Sequence, residues 1–287
     1  MRFKIADIVF DCSSYQPTDS LRLEGSSEDF LSTEVPDVCI KGYYSENPEI
    51  FFKDEDKVFE SGILWDVYRI DGLPTFVTKI NPDSQKPYCF ARFSTDFRYG
   101  DFFYLNNNNE ISDGRLPHPL AFPMFHLLMI SLLSKGYGIL IHACGIDDHG
   151  KGLLFAGSST HGKTTIARLW ENQAVILNDE RVVLRQRKGL FWIYGTPWHG
   201  EYERVSPCGV PLEKIFFLQK ADANSAGRLN GAIATSNLLS HCFLPYWETD
   251  GINFTLELCA NVTAEIPCYE LGFVRDNSVI DFVRCVK

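Results

Sequence analysis

The sequence has no Cys-x-x-Cys pair, no apolar stretch long enough to span a bilayer, no surplus of basic charge and no internal repeat. Its nine cysteines, at positions 12, 39, 89, 144, 208, 242, 259, 268 and 285, are odd in number and irregularly spaced. Such spacing supports neither a disulfide framework nor a zinc site, and it points to mostly buried thiols in a reducing compartment. The longest apolar stretch, Leu120 to Leu133, carries Pro123 and His126 and falls short of a membrane span. The opening Met1-Arg2-Phe3-Lys4-Ile5-Ala6-Asp7 has an acid where a signal peptide needs an apolar run. A soluble, cytoplasmic protein with no membrane partner is therefore expected. Lys plus Arg number 27 against 37 Asp plus Glu, a net charge of −10. That field works against attraction to a polyphosphate backbone, so nucleic acid is not an expected partner. A pocket for one phosphate chain is still compatible with it, because aimed N–H groups and a single Lys act at contact distance.

What is present suits one large or two smaller globular domains: 287 residues, of which 45% are hydrophobic, enough to build a core. Short runs rich in aromatic and β-branched residues fill the first third, among them Ile5–Phe10, Val38–Tyr43 and Phe76–Ile80. Turn formers such as Pro82-Asp83-Ser84 separate them, and the run Asn106–Asn109 reads as a surface turn. Residues 1–112 therefore read as an antiparallel, β-rich N-terminal region, a candidate for recognising a substrate or partner.

From Pro123 the period changes. Phe125, Leu128, Met129 and Leu132 recur at helical spacing, and Lys135-Gly136-Tyr137-Gly138 ends that helix. Gly138–Ile146 and Gly152–Ala156 read as a hairpin about Asp147–Lys151. A glycine loop follows, then a helix to about Asn172 with Ile166, Ala167, Leu169 and Trp170 inward, then a strand at Ala174–Leu177. Val182–Arg185 and Leu190–Ile193 read as a second hairpin about Lys188-Gly189, with strands at Lys214–Leu218 and Cys268–Val274 and a closing helix over Val279–Val286.

The loop Gly157-Ser158-Ser159-Thr160-His161-Gly162-Lys163-Thr164 fits G-x-x-x-x-G-K-[ST] at every fixed position, with Thr165 following in the helix. Chance alone yields such a match on the order of once per hundred chains of this length. Strand, glycine loop, helix is also the order that a phosphate-binding loop requires. Its glycines let consecutive N–H groups converge on one phosphate, and the helix adds the positive end of its dipole. Lys163 is placed to reach the β- and γ-phosphates of a nucleotide and Thr164 to ligate Mg²⁺. The alternative is a glycine turn that only caps a helix. His161 reads either as a solvent-facing side chain or as a contact to the γ-phosphate.

Phosphoryl transfer also needs acids at the end of a neighbouring strand, to hold the metal and to take a proton. Asp179-Glu180 stands there, and reads either as that pair or as a solvated turn. His142, in an apolar run, is either a hydrogen-bonded core residue or a partner that tunes the Asp179 carboxylate. In Gly195-Thr196-Pro197-Trp198-His199-Gly200-Glu201, His199 and Glu201 either face a substrate or second metal or decorate a plain turn.

Taken together, Ile141-His142-Ala143, Gly157–Thr164 and Asp179-Glu180-Arg181-Val182 resemble the catalytic core of HPr kinase/phosphorylase and its relatives, specifically over about residues 120–200. The Gly195–Glu201 segment is similar to one in members that are not true HPr kinases. The resemblance implies an α/β (α+β) chain: a phosphoenolpyruvate carboxykinase-like P-loop core of mixed sheet over 113–287, preceded by the β-rich region. It implies Asp179 as general base, His142 as its partner, Glu180 as the metal-binding neighbour and ATP with Mg²⁺ as cofactors. The implied activity is a kinase acting on a hydroxyl, most readily a serine of a peptide or protein. A small-molecule hydroxyl acceptor, and a nucleotide-binding regulatory or scaffold protein without transfer, stay open, as does a homo-oligomer. Glu180 stands where bacterial HPr kinases have Asp, and residues 1–112 do not resemble their N-terminal domain, so HPr is not implied as acceptor.

Overall fold

A computed structural model of the chain describes residues 1–14, 25–45, 52–79, 81, 87–105, 120–158 and 161–287. Among these the fold is mixed α/β and strand-rich, with two mixed sheets and five α-helices. The chain divides into two compact units, residues 1–132 with 245–249, and residues 133–244 with 250–287. The boundary expected after residue 112 falls outside the described residues, as do the turns expected at 82–84 and 106–109.

The first unit holds an eight-stranded sheet. Its strands are β1 (Arg2–Ile5), β2 (Ile8–Ser14), β3 (Val38–Ser45), β4 (Lys57–Glu60), β5 (Trp65–Ile70), β6 (Leu73–Thr78), β7 (Cys89–Phe93) and β8 (Tyr99–Leu105). The spatial order is β1-β2-β3-β8-β7-β6-β5-β4. The wholly antiparallel expectation is corrected at two junctions, since β2 with β3 and β3 with β8 are parallel. A parallel neighbour needs a long crossover, which the residues between β2 and β3 supply; hairpin signals reveal only the antiparallel pairs. Helix α1 (Met124–Leu132) forms where the apolar period changed. Residues 245–249 belong to this unit because Trp247 packs on Trp65 and Phe76, with ring centroids 5.3 and 5.4 Å away, and donates from its indole N–H to Ser131 Oγ at 3.2 Å.

The second unit is built on a nine-stranded sheet. Its strands are β9 (Ile139–Ile141), β10 (Ala143–Asp148), β11 (Lys151–Ala156), β12 (Val175–Asn178), β13 (Val182–Arg187), β14 (Leu190–Tyr194), β15 (Gly209–Lys220), β16 (Ser225–Arg228) and β17 (Cys268–Phe273). Its helices are α2 (Lys163–Trp170), α3 (Gly231–Ser240), α4 (Thr249–Glu265) and α5 (Ser278–Cys285). Both expected hairpins form, β10–β11 and β13–β14. Each turns through consecutive positive-φ residues, His149-Gly150 and Lys188-Gly189, the backbone that two-residue hairpin loops require. The parallel pairs β11–β15 and β15–β17 lie between antiparallel ones, so the sheet is mixed.

Both faces of this sheet are covered. Leu154 and Ala156 of β11 pack in one buried cluster with Ala234, Leu238, Leu258 and Val262 of α3 and α4. Leu153 and Phe155 pack in another with Ile166 and Trp170 of α2 and Val279 and Val283 of α5. This is why Leu153-Leu154-Phe155-Ala156 reads as a continuous apolar run rather than an alternating one. All nine cysteines are free thiols, five of them buried. Among the described residues no helix is long and apolar enough to cross a membrane.

Candidate phosphate-binding site

The glycine loop leaves the end of β11 and enters α2 at Lys163. Ser159 and Thr160 lie outside the described residues; Gly157, Ser158, His161 and Gly162 are described. Gly162 has φ +103°, and a Cβ there would stand 2.7 Å from Cζ of Phe273 at the end of β17. Conformation and space thus both demand glycine. The first-turn N–H groups of α2 have no partner within the helix, which makes this end suited to an anion. Lys163 is buried, and its Nζ donates to the Gly157 carbonyl at 2.7 Å and the Ser158 carbonyl at 3.4 Å. Burial holds its pKa below the ordinary lysine value. His161 Nδ1 is buried with no hydrogen-bond partner among the described residues.

The acid pair stands in the turn between β12 and β13, shaped by buried Asn178. Asn178 Oδ1 accepts from the N–H groups of Glu180 and Arg181 at 2.6 and 2.7 Å. Its Nδ2 donates to the carbonyls of Thr196 and Trp198 at 2.9 and 3.1 Å. Thr196 Oγ1 closes the loop by donating to the Arg181 carbonyl at 2.7 Å. One amide thereby fixes the turn and ties it to the 195–202 segment.

Asp179, 1% exposed, points toward α2. Its Oδ2 accepts from Thr164 Oγ1 at 2.9 Å and from the Tyr202 N–H at 3.2 Å, and its Oδ1 from the Gly200 N–H at 2.8 Å. Glu180 points the other way, its Oε2 lying 3.1 Å from His142 Nε2. The expected His142–Asp179 pair is corrected by these contacts: the imidazole partners Glu180. The turn that Asn178 fixes sets the two adjacent carboxylates apart, Asp179 onto Thr164 and Glu180 onto His142.

The run Gly138–Ile146 is also two strands rather than one, broken at His142. Strand β9 pairs with β13 and β10 with β12. The break at 142 therefore lies opposite the break at 179–181, which brings imidazole and carboxylate together. The His142 hydrogen bond, ahead of the opposing effect of burial, holds the Glu180 carboxyl below the usual glutamate range.

A cavity of about 550 Å³ joins these parts, lined by His142, Gly162, Lys163, Thr164, Thr165, Glu180, Gly200, Glu201 and Arg275. Glu201 is among the lining residues. His199 is exposed, with Nδ1 2.9 Å from the Gly200 carbonyl, and is not part of the lining. Asn178, Thr196 and Gly200 stand in the segments that sequence reasoning singled out but were given no role of their own, and Arg275 was not noticed. Asn directly before an acid pair at a strand end was a usable turn signal; Arg275 had none. Among the described residues no group of three or more His, Cys, Asp or Glu side chains could cage a metal ion. Mg²⁺ bound with nucleotide does not need one, since it takes one or two protein oxygens and fills the rest with phosphate and water. A hydroxyl and a carboxylate 2.9 Å apart, Thr164 and Asp179, are a donor set of that kind.

No family model and no curated protein matches the chain. Among solved structures the chain is similar to the HPr(Ser) kinase/phosphatase from Coxiella burnetii, at 13% identity, over 50% of this chain and 93% of that one, with a TM-score of 0.29.

Proposed function

We propose that the second unit is a nucleotide-dependent phosphotransferase that moves the γ-phosphoryl group of ATP to a hydroxyl. The observation that carries this reading is that Lys163 and Thr164 of the glycine loop share one cavity with the Glu180–His142 pair. In the reading, Lys163 and the first-turn N–H groups of α2 hold the phosphate chain and balance charge as it develops. Thr164, with the Asp179 carboxylate hydrogen-bonded to it, would hold Mg²⁺, which when bound would supply positive charge to the phosphate oxygens. Glu180, kept ionised and oriented by His142, takes the hydroxyl proton as the new O–P bond forms, the bond to the β-phosphate breaks and ADP departs.

In this reading the base is Glu180 rather than Asp179, because Glu180 is among the residues lining the cavity with Lys163 and Thr164 and Asp179 is not. The strand–loop–helix step from β11 to α2, within a mixed sheet, is compatible with a phosphoenolpyruvate carboxykinase-like core. A serine of a peptide or protein is the acceptor implied by the sequence resemblance.

Incubation with Mg²⁺ and γ-labelled ATP over serine-containing peptides tests the reading. Labelled product is expected from the wild type, loss of both transfer and ATP affinity in Lys163→Ala, and loss of transfer with affinity kept in Glu180→Gln. ATP binding without transfer to any hydroxyl, peptide or small molecule, would contradict the enzymatic assignment and favour a nucleotide-binding scaffold.

A further inference from the structure

Arg275 lines the same cavity from an element that sequence reasoning did not connect with it. It lies just past β17, whose last residue, Phe273, sets its ring against Gly162 of the phosphate loop. The segment is anchored on both sides: the Val274 N–H donates to Asn224 Oδ1 at 2.8 Å, and Asp276 Oδ1 accepts from the Ser278 N–H at 2.9 Å. The neighbouring acid is therefore committed to the start of α5 and not to the arginine. Arg275 itself is exposed and makes no hydrogen bond or ion pair among the described residues. In a chain with 27 basic residues against 37 acidic ones, an unpaired arginine at this cavity is not explained by solvation of a generally basic face.

Among the described residues the formal cations of the lining are Lys163 and Arg275, and Lys163 is buried and turned onto loop carbonyls. A nucleoside triphosphate brings more negative charge than one lysine balances. A guanidinium offers a planar fork of donors that matches two phosphate oxygens at once, a geometry an ammonium lacks.

Resting on the phosphotransferase reading for its ligand, we propose that Arg275 is a phosphate ligand supplied in cis. Its guanidinium binds the terminal phosphates of the nucleotide at the cavity mouth, with Lys163 at the base. The segment after β17 then belongs to the nucleotide site, and the Phe273–Gly162 contact fixes its distance from the loop.

The test is calorimetric titration of the full chain with Mg-ATP and, separately, AMP, comparing wild type, Arg275→Ala and Arg275→Lys, with Lys163→Ala as reference. An exposed, unpartnered side chain should be replaceable without unfolding, which thermal melting of each variant checks. Arg275→Ala is expected to weaken ATP at least tenfold and leave AMP within twofold, with Arg275→Lys between the two. Unchanged ATP affinity, or equal loss for ATP and AMP, would overturn the assignment. If the wild type binds ATP and shows this pattern but transfers no phosphate, the arginine assignment stands and the enzymatic reading falls. If the wild type binds neither nucleotide, both fall.

Discussion

The Glu180 carboxyl is held below the usual glutamate range by a neighbour, and that has a measurable consequence. The His142 hydrogen bond depresses its pKa, so the stabilisation from this contact is present above the ordinary glutamate range and is lost as pH falls through the lowered value. The same ionisation sets the acid limb of any rate that uses Glu180 as base. His142→Gln removes that support while burial still opposes the charge, so the acid limb of kcat/KM should move upward in pH. A rate profile that keeps its limb while the melting temperature drops would make His142 a packing residue only. This pairing was half legible. The loop, the acids and the histidine are all marked by residue type. Which acid meets His142 depends on the turn that Asn178 makes, and two adjacent carboxylates look alike until a backbone turns them apart.

At the scale of elements, local signals were legible where the chain closes on itself. The hairpins about His149-Gly150 and Lys188-Gly189 and the helix after the glycine loop form at the expected places. Long-range pairings were not legible. The parallel neighbours of β3 come from distant segments, and α3 and α4 were missed. In α4, Gly251, Thr255, Asn261 and Thr263 are weak helix formers, and the helix is held by packing Leu258, Cys259 and Val262 against the sheet.

Helix α5 is tied to β10 by two charge-assisted bonds, Arg284 Nε to Asp148 Oδ2 at 2.9 Å and Nη2 to Oδ1 at 2.7 Å. The Arg284 contact lowers the Asp148 pKa, so this stabilisation exists above the ordinary aspartate range and fades as pH falls through the lowered value. Arg284→Ala should cost about 1–3 kcal/mol near neutral pH, because Asp148 stays buried without its partner. The difference from wild type in denaturant midpoint should shrink below about pH 4. A difference independent of pH would assign the loss to packing instead.

For the whole molecule, the net charge of −10 means that the proposed ATP binding would have to come from groups at contact distance rather than from a general field. The described residues lining the phosphate cavity all belong to the second unit. Composition revealed the acidic chain and the motif revealed the glycine loop with its one lysine; Arg275 enters the cavity only through the order in which β17 joins the sheet. Ligand-linked unfolding tests most directly whether the loop is a nucleotide site. With Mg-ATP at about 100 times its dissociation constant, the wild type should gain about 2.7 kcal/mol of stability, and its melting temperature should rise with nucleotide concentration. Glu180→Gln should keep that rise and Lys163→Ala should lose it. A melting temperature indifferent to Mg-ATP, or a rise that survives Lys163→Ala intact, would contradict the assignment of the Gly157–Thr164 loop as the phosphate site.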